Sequence, residues 1–203
     1  GVKSAFNKYS KVTAKRNVTG SQVAKRILEQ NNINYVFVEQ TQGNLTDHFS
    51  PKESKIRLSE GVYDSNSIAA IGVAAHECGH AIQYDNGYFP IQVRNFIIPI
   101  TQIGATISPY LILAGVILNF AMLIDIALIL FGAVVLFQLI TLPVEFNASK
   151  RALESLSQTY VLDEYELKGA KRVLNAAAMT YVAALVVSIM QLLYYLVRFR
   201  RKD

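Results

Sequence analysis

Between Phe96 and Leu142 the chain carries no Lys, Arg, Glu or His, and only one charge of any kind, Asp125. A bilayer crossing takes about 20 apolar residues, so this run fits two spans. They fall near 98–118 and 123–142, with a short turn around Asn119 to Leu123. A third apolar stretch runs from Asn175 to Val197 and meets Arg198-Phe199-Arg200-Arg201-Lys202, a basic interfacial stop. The competing reading is a soluble protein with buried core helices. A hydrophobic content of 52% permits that, but the length of the uncharged run argues against it. Within the spans, Pro109 is expected to kink its helix, and Gly104, Ser108 and Gly115 allow close helix contact. Gln138 and Gln191 are expected to bond between helices, and Asp125 to lie near an interface, where its charge costs less.

Ahead of this membrane-like region stands His76-Glu77-Cys78-Gly79-His80. Residues four apart share a helix face, so the two imidazoles can meet one Zn²⁺. Glu77, rotated by roughly 100° from His76, can hold and deprotonate a water on that metal. The flanks support a buried helix, since no charge other than Glu77 falls between Asp64 and Asp85. Asp64, Ser65 or Asn66 can cap its start, and Asn86-Gly87 can end it. Gly72 and Ala69 leave room on the histidine face for another segment. The bland alternative, two hydrogen-bonded core histidines beside a glutamate, leaves a buried carboxylate and two imidazoles without an offset to their desolvation.

Catalytic zinc usually has three protein ligands and an open position. The H-x-x-G-x-x-H continuation is absent, with Gln83 and Asn86 at its last two positions. After Glu77 the next glutamate is Glu145, 65 residues past His80. It follows Pro143, which reads as the start of a helix. Two intervening spans return the chain to the side it left, so Glu145 emerges beside the histidines. The alternative is an ordinary exposed helix glutamate.

The first 95 residues read as water-facing. Val2, Phe6, Tyr9 and Val12 recur at helical spacing among Lys3, Lys8, Lys11, Lys15 and Arg16, a pattern suited to an anionic bilayer surface or a solvated face. No nucleic-acid-binding module accompanies the basic charge. Thr19 to Asn31 reads as a helix burying Val23, Ile27 and Leu28. Ile33 to Glu39 and Lys55 to Ser59 read as strands, and the second could accept a substrate backbone at its edge. Sixteen of the twenty Lys and Arg fall on the histidine side and four in the tail, which favours a cytoplasmic site even though the tail argues the other way. The single cysteine, Cys78, forms no internal disulfide, suits a reducing compartment and reads as a helix-packing residue.

Leu45-Thr46-Asp47-His48-Phe49, Arg57-Leu58-Ser59-Glu60, Ser67-Ile68-Ala69-Ala70, Ala74 to Gln83, Phe137 to Phe146 and Val173 to Ala178 together resemble the bacterial membrane neutral zinc metallopeptidases of the YugP type. The likeness spans essentially the whole chain. It implies a metallopeptidase, and a further hydrophobic span ahead of Gly1. A more distant likeness to HtpX-type membrane proteases implies Glu145 as third ligand. That group carries an Asp one turn later to orient the site, whereas Ser149 stands here with Asn147 nearby. His48 is either a donor to the tetrahedral intermediate or a loop histidine satisfied by Asp47 or the backbone.

The expectation is a mainly α integral membrane protein: a zincin-like metallopeptidase with an HExxH helix, a small β-element and three transmembrane helices. Residues 1–95 form the water-facing peptidase portion and 96–142 a transmembrane hairpin. Residues 143–174 carry the third ligand, and 175–203 hold the last span and basic tail. The expected function is zinc-dependent endoproteolysis of membrane or membrane-proximal proteins in the bacterial cytoplasmic membrane, with the site facing the cytoplasm. Its alternative is a metal-stabilised scaffold without activity. His76, His80 and Glu145 are the expected Zn²⁺ ligands, Glu77 and His48 the catalytic candidates, and a protein substrate and the lipid bilayer the partners.

Overall fold

The computed structural model describes residues 2–199, so Arg200, Arg201 and Lys202 of the basic stop lie outside the described residues. In chain order the elements are α1 (Val2–Tyr9), α2 (Gly20–Gln30), β1 (Phe37–Thr41), β2 (His48–Ser50), β3 (Lys55–Ser59), α3 (Glu60–Tyr63), α4 (Ile68–Asp85), α5 (Phe89–Ile117), α6 (Ala121–Thr159) and α7 (Glu164–Phe199). The chain divides into two compact units. One comprises Gly1–Tyr88 with Val144–Thr180, the other Phe89–Pro143 with Tyr181–Asp203.

The first unit is built around α4. This helix buries Ile68, Ile71, Ala74, Ala75, Cys78, Ala81 and Ile82, residues on all its faces, which is why its sequence shows no polar stripe. Ser67 caps it, accepting from the Ala70 N–H at 3.2 Å. Asp64, Ser65 and Asn66, the expected caps, lie one to three residues early. Residues 12–14 complete the helix start, since Ile68 N–H donates to the Val12 carbonyl and Ala14 N–H to that of Asn66. At the far end Asn86 is the C-cap, and Gly87 takes φ +61°, the left-handed region that glycine enters without strain. Thr19 and Gln22 form a reciprocal capping box on α2, whose Val23, Ile27 and Leu28 are buried as the spacing predicts. Cys78 packs under α2, its Sγ 3.5 Å from the Ala24 carbonyl oxygen.

The sheet order is β1-β3-β2, with β1 parallel and β2 antiparallel to β3. β3 is therefore central, and both of its edges are taken. The expectation that Lys55 to Ser59 offers an edge to a substrate is thus corrected: the edge strands are β1 and β2. The first strand also begins at Phe37, later than Ile33, because Ile33 is drawn into the core beside Ile27 and Leu28.

The second unit contains the α5–α6 hairpin turn at Asn119, whose φ is +50°. A Cβ on Gly104 would approach the Leu130 carbonyl oxygen to 3.1 Å, and one on Gly115 would meet Ile124 Cγ1 at 2.6 Å, so these glycines set the helix spacing. Gln191 bonds within its own helix, to the Tyr195 hydroxyl, rather than between helices. α5, α6 and α7 are each long and apolar enough to cross a membrane. All three run past the apolar spans read from the sequence. Pro143 does not start a helix but lies inside α6. Just before it, the Thr141 hydroxyl donates back to the Phe137 carbonyl at 2.8 Å.

Candidate metal centre

Every residue of the centre belongs to the first unit and comes from two helices. α4 supplies His76, Glu77, His80 and Gln83, and the stretch of α6 after Pro143 supplies Glu145, Asn147 and Ser149. What lets the two backbones meet is Gly79. A Cβ there would stand 2.3 Å from the Ala148 carbonyl oxygen, so only glycine fits between the histidine turns. Gly72, expected to leave room for another segment, faces Ala170 of α7, where an added Cβ would meet ordinary van der Waals contact at 3.6 Å.

Across this contact Glu145 reaches both rings. Its Oε2 lies 3.2 Å from His76 Nε2 and its Oε1 3.7 Å from His80 Nε2. The rings stand nearly perpendicular, with centroids 4.7 Å apart. One donor atom from each of the three residues lies within 4.8 Å of the others. Zinc held tetrahedrally at about 2.0–2.1 Å separates its ligand atoms by roughly 3.3–3.5 Å. The donor set, two imidazoles and a carboxylate, and this spacing both fit a zinc ion. Among the described residues this is the one group of its kind.

Glu77 is 7% exposed. Burial pushes its carboxyl up to about 7; His76 opposes the rise, Glu145 and Asp47 add to it, and His48 opposes it weakly. A cation at the neighbouring triad would favour the carboxylate again. Cys78, next in sequence, is fully buried on the other side of α4, and burial drives its thiol far up. It does not belong to the centre.

Other side chains contact the candidate ligands. His76 Nδ1 lies 3.2 Å from Ser149 Oγ, and His80 Nδ1 lies 3.0 Å from Gln83 Oε1. Gln83 Nε2 in turn donates to the Val144 carbonyl at 2.8 Å and to Asn147 Oδ1 at 3.0 Å. Arg151 Nε also donates to Asn147 Oδ1, and its guanidinium lies over the Tyr88 ring. In the sequence Gln83 figures in the family resemblance and as a departure from the H-x-x-G-x-x-H motif, with no role of its own at the site. Its signal was its place three residues after His80, on the same helix face.

His48 opens β2 and is exposed, outside the triad. Its Nδ1–H donates to the Thr46 carbonyl at 2.7 Å. Asp47 turns away to Ser59, accepting from its backbone N–H at 2.8 Å and its hydroxyl at 3.0 Å. The backbone, not Asp47, is therefore what His48 bonds. β2 packs against α4 through Phe49 and Tyr84, whose ring centroids are 5.9 Å apart.

Residues 1–200 match the model of a family described as "Putative neutral zinc metallopeptidase". The chain is 46% identical over 198 residues to "Putative membrane protease YugP" of Bacillus subtilis (strain 168), covering 98% of this chain and 88% of that protein. No solved structure matches it. With a zinc-compatible triad set beside three apolar helices in the sequence, and with a match over nearly its whole length, the chain belongs to this zinc metallopeptidase family.

Proposed function

We propose that this protein is a zinc-dependent endopeptidase of the bacterial cytoplasmic membrane, cutting membrane or membrane-proximal proteins. One observation carries the reading: two imidazole Nε2 atoms and both Glu145 oxygens converge beside the buried Glu77 carboxyl. His76, His80 and Glu145 would hold the metal. Zinc supplies a Lewis acid there, bringing a water's pKa from about 15.7 toward about 7. Glu77 accepts the proton of the attacking water on its carboxylate and returns it to the nitrogen of the departing amine. The enzyme forms no acyl intermediate. With its Nδ1–H committed to the Thr46 carbonyl, His48 can meet a substrate only through Nε2.

The helix that carries Glu145 supports this substrate class. α6 is continuous from its apolar segment through Pro143 to Glu145, which keeps the third ligand within two residues of that proline. Chains presented near the bilayer therefore reach the site most readily. The open edge of β2, beside α4, is where an extended substrate would pair. The charge distribution favours a cytoplasmic site. Three protein ligands leave a coordination position for water, which favours catalysis over a scaffold role.

Glu77→Gln tests the reading. Zinc content should stay at the wild-type level while cleavage falls by about 10²–10⁴-fold. Membrane proteomes of cells with wild-type and Glu77→Gln protein should differ in new N-termini, and identical sets would overturn the assignment.

A further inference from the structure

Gln83 is fully buried and bridges the two helices that form the centre. Which way its amide points is fixed by what surrounds it. The Val144 carbonyl can only accept, so the atom facing it at 2.8 Å must be the NH₂ group. The same NH₂ group lies 3.0 Å from Asn147 Oδ1, an oxygen that Arg151 Nε, itself only a donor, holds in place from the other side. The amide oxygen is therefore turned to His80, and an amide oxygen can only accept. His80 Nδ1, 3.0 Å away, must carry the ring's proton.

We infer that Gln83 is a positioning residue that sets the tautomer of His80 before any metal arrives and locks α4 to the α6 turn bearing Glu145. The inference rests on the proposed zinc site but concerns the protein's own hydrogen bonding. With Nδ1 protonated, Nε2 presents its lone pair toward Glu145 Oε1, the face where a metal would bind. His76 Nδ1 faces the Ser149 hydroxyl, which can donate or accept, so that contact by itself selects no tautomer. At His80 the Nδ1 side is set by a chain of one-way partners. The arm from Gln83 to Val144 has a second effect. It holds the residue beside Glu145 against α4, so one side chain fixes both a ligand's protonation and the separation between ligands on different helices.

The protein has three histidines, which makes ¹⁵N-histidine spectra of the full chain in lipid nanodiscs assignable. In metal-free wild-type protein, at a pH where the ring is neutral, His80 should show the Nδ1–H tautomer. After loading with ¹¹³Cd²⁺ the metal coupling should appear on Nε2. Gln83→Leu should shift His80 toward a mixture of tautomers and weaken zinc binding, read by chelator competition, by about 10–100-fold. Gln83→Glu keeps an acceptor for Nδ1–H but loses both donations to α6. It should retain the tautomer while still weakening zinc binding, a separation that a merely structural role would not produce. A wild-type His80 protonated on Nε2, or a folded Gln83→Leu chain that binds zinc as tightly as wild type, overturns the inference. If Gln83→Leu does not fold, the wild-type and Gln83→Glu spectra decide it. If the variants show these changes while the zinc-loaded wild-type protein cleaves nothing, the proposed reaction fails and the role of Gln83 stands.

Discussion

Glu145 joins two histidines that α4 alone cannot turn into a three-point site. It is buried, and each carboxylate oxygen faces a different imidazole. Glu145→Ala should lower zinc affinity by more than the roughly 10–100-fold typical of losing an outer hydrogen bond. The metal-to-protein ratio after dialysis checks this, and an unchanged ratio would point to another ligand. His76, Glu77 and His80 were legible in the sequence because helical geometry alone puts residues four apart on one face. Glu145 was legible because it is the first glutamate after Glu77. Gln83 was not. Its partners Val144 and Asn147 lie 61 and 64 residues away, and a glutamine inside an apolar helix announces no direction until those partners are in place.

α4 and α6 approach most tightly, among the glycine contacts, at Gly79. At Gly79 an added methyl group would strike backbone, the Ala148 carbonyl, rather than the movable end of a side chain. Alanine favours a helix interior over glycine by about 1 kcal/mol. Forcing an extra carbon into a packed contact costs about 1–3 kcal/mol, so the clash prevails. Gly79→Ala should therefore lower the melting temperature and, by pushing Ala148 away with its neighbours Glu145 and Ser149, reduce zinc binding. Thermal denaturation and metal titration of the purified variant check both. Unchanged zinc affinity would mean that α6 can move without carrying Glu145 out of reach. The helix boundaries were harder to read. Pro143 looked like a start because proline is favoured in a first turn, yet α6 carries it in its interior. The α4 cap fell at Ser67 because Asn66 and Ser65 serve instead as backbone acceptors for Ala14 and Gly20.

For the whole molecule, the proposed topology has a direct test. Cys78 is fully buried and its thiol is held protonated, so the native cysteine should give little labelling background. A cysteine at Asn119, in the α5–α6 turn, should react with an impermeant maleimide on intact cells. One at Tyr160, which is exposed between α6 and α7, should react only after permeabilisation. Equal labelling of both sites on intact cells would contradict an even number of crossings between His80 and Glu145. The sequence by itself determined the three apolar helices, because an uncharged run of that length has few other uses. It also determined the paired imidazoles, because their spacing is local. The tertiary structure alone decided that β3 is enclosed, that Gly79 rather than Gly72 admits α6, and that Gln83 reads the Val144 carbonyl. Each of these is a contact between segments distant along the chain, and residue type at one end does not specify what stands at the other.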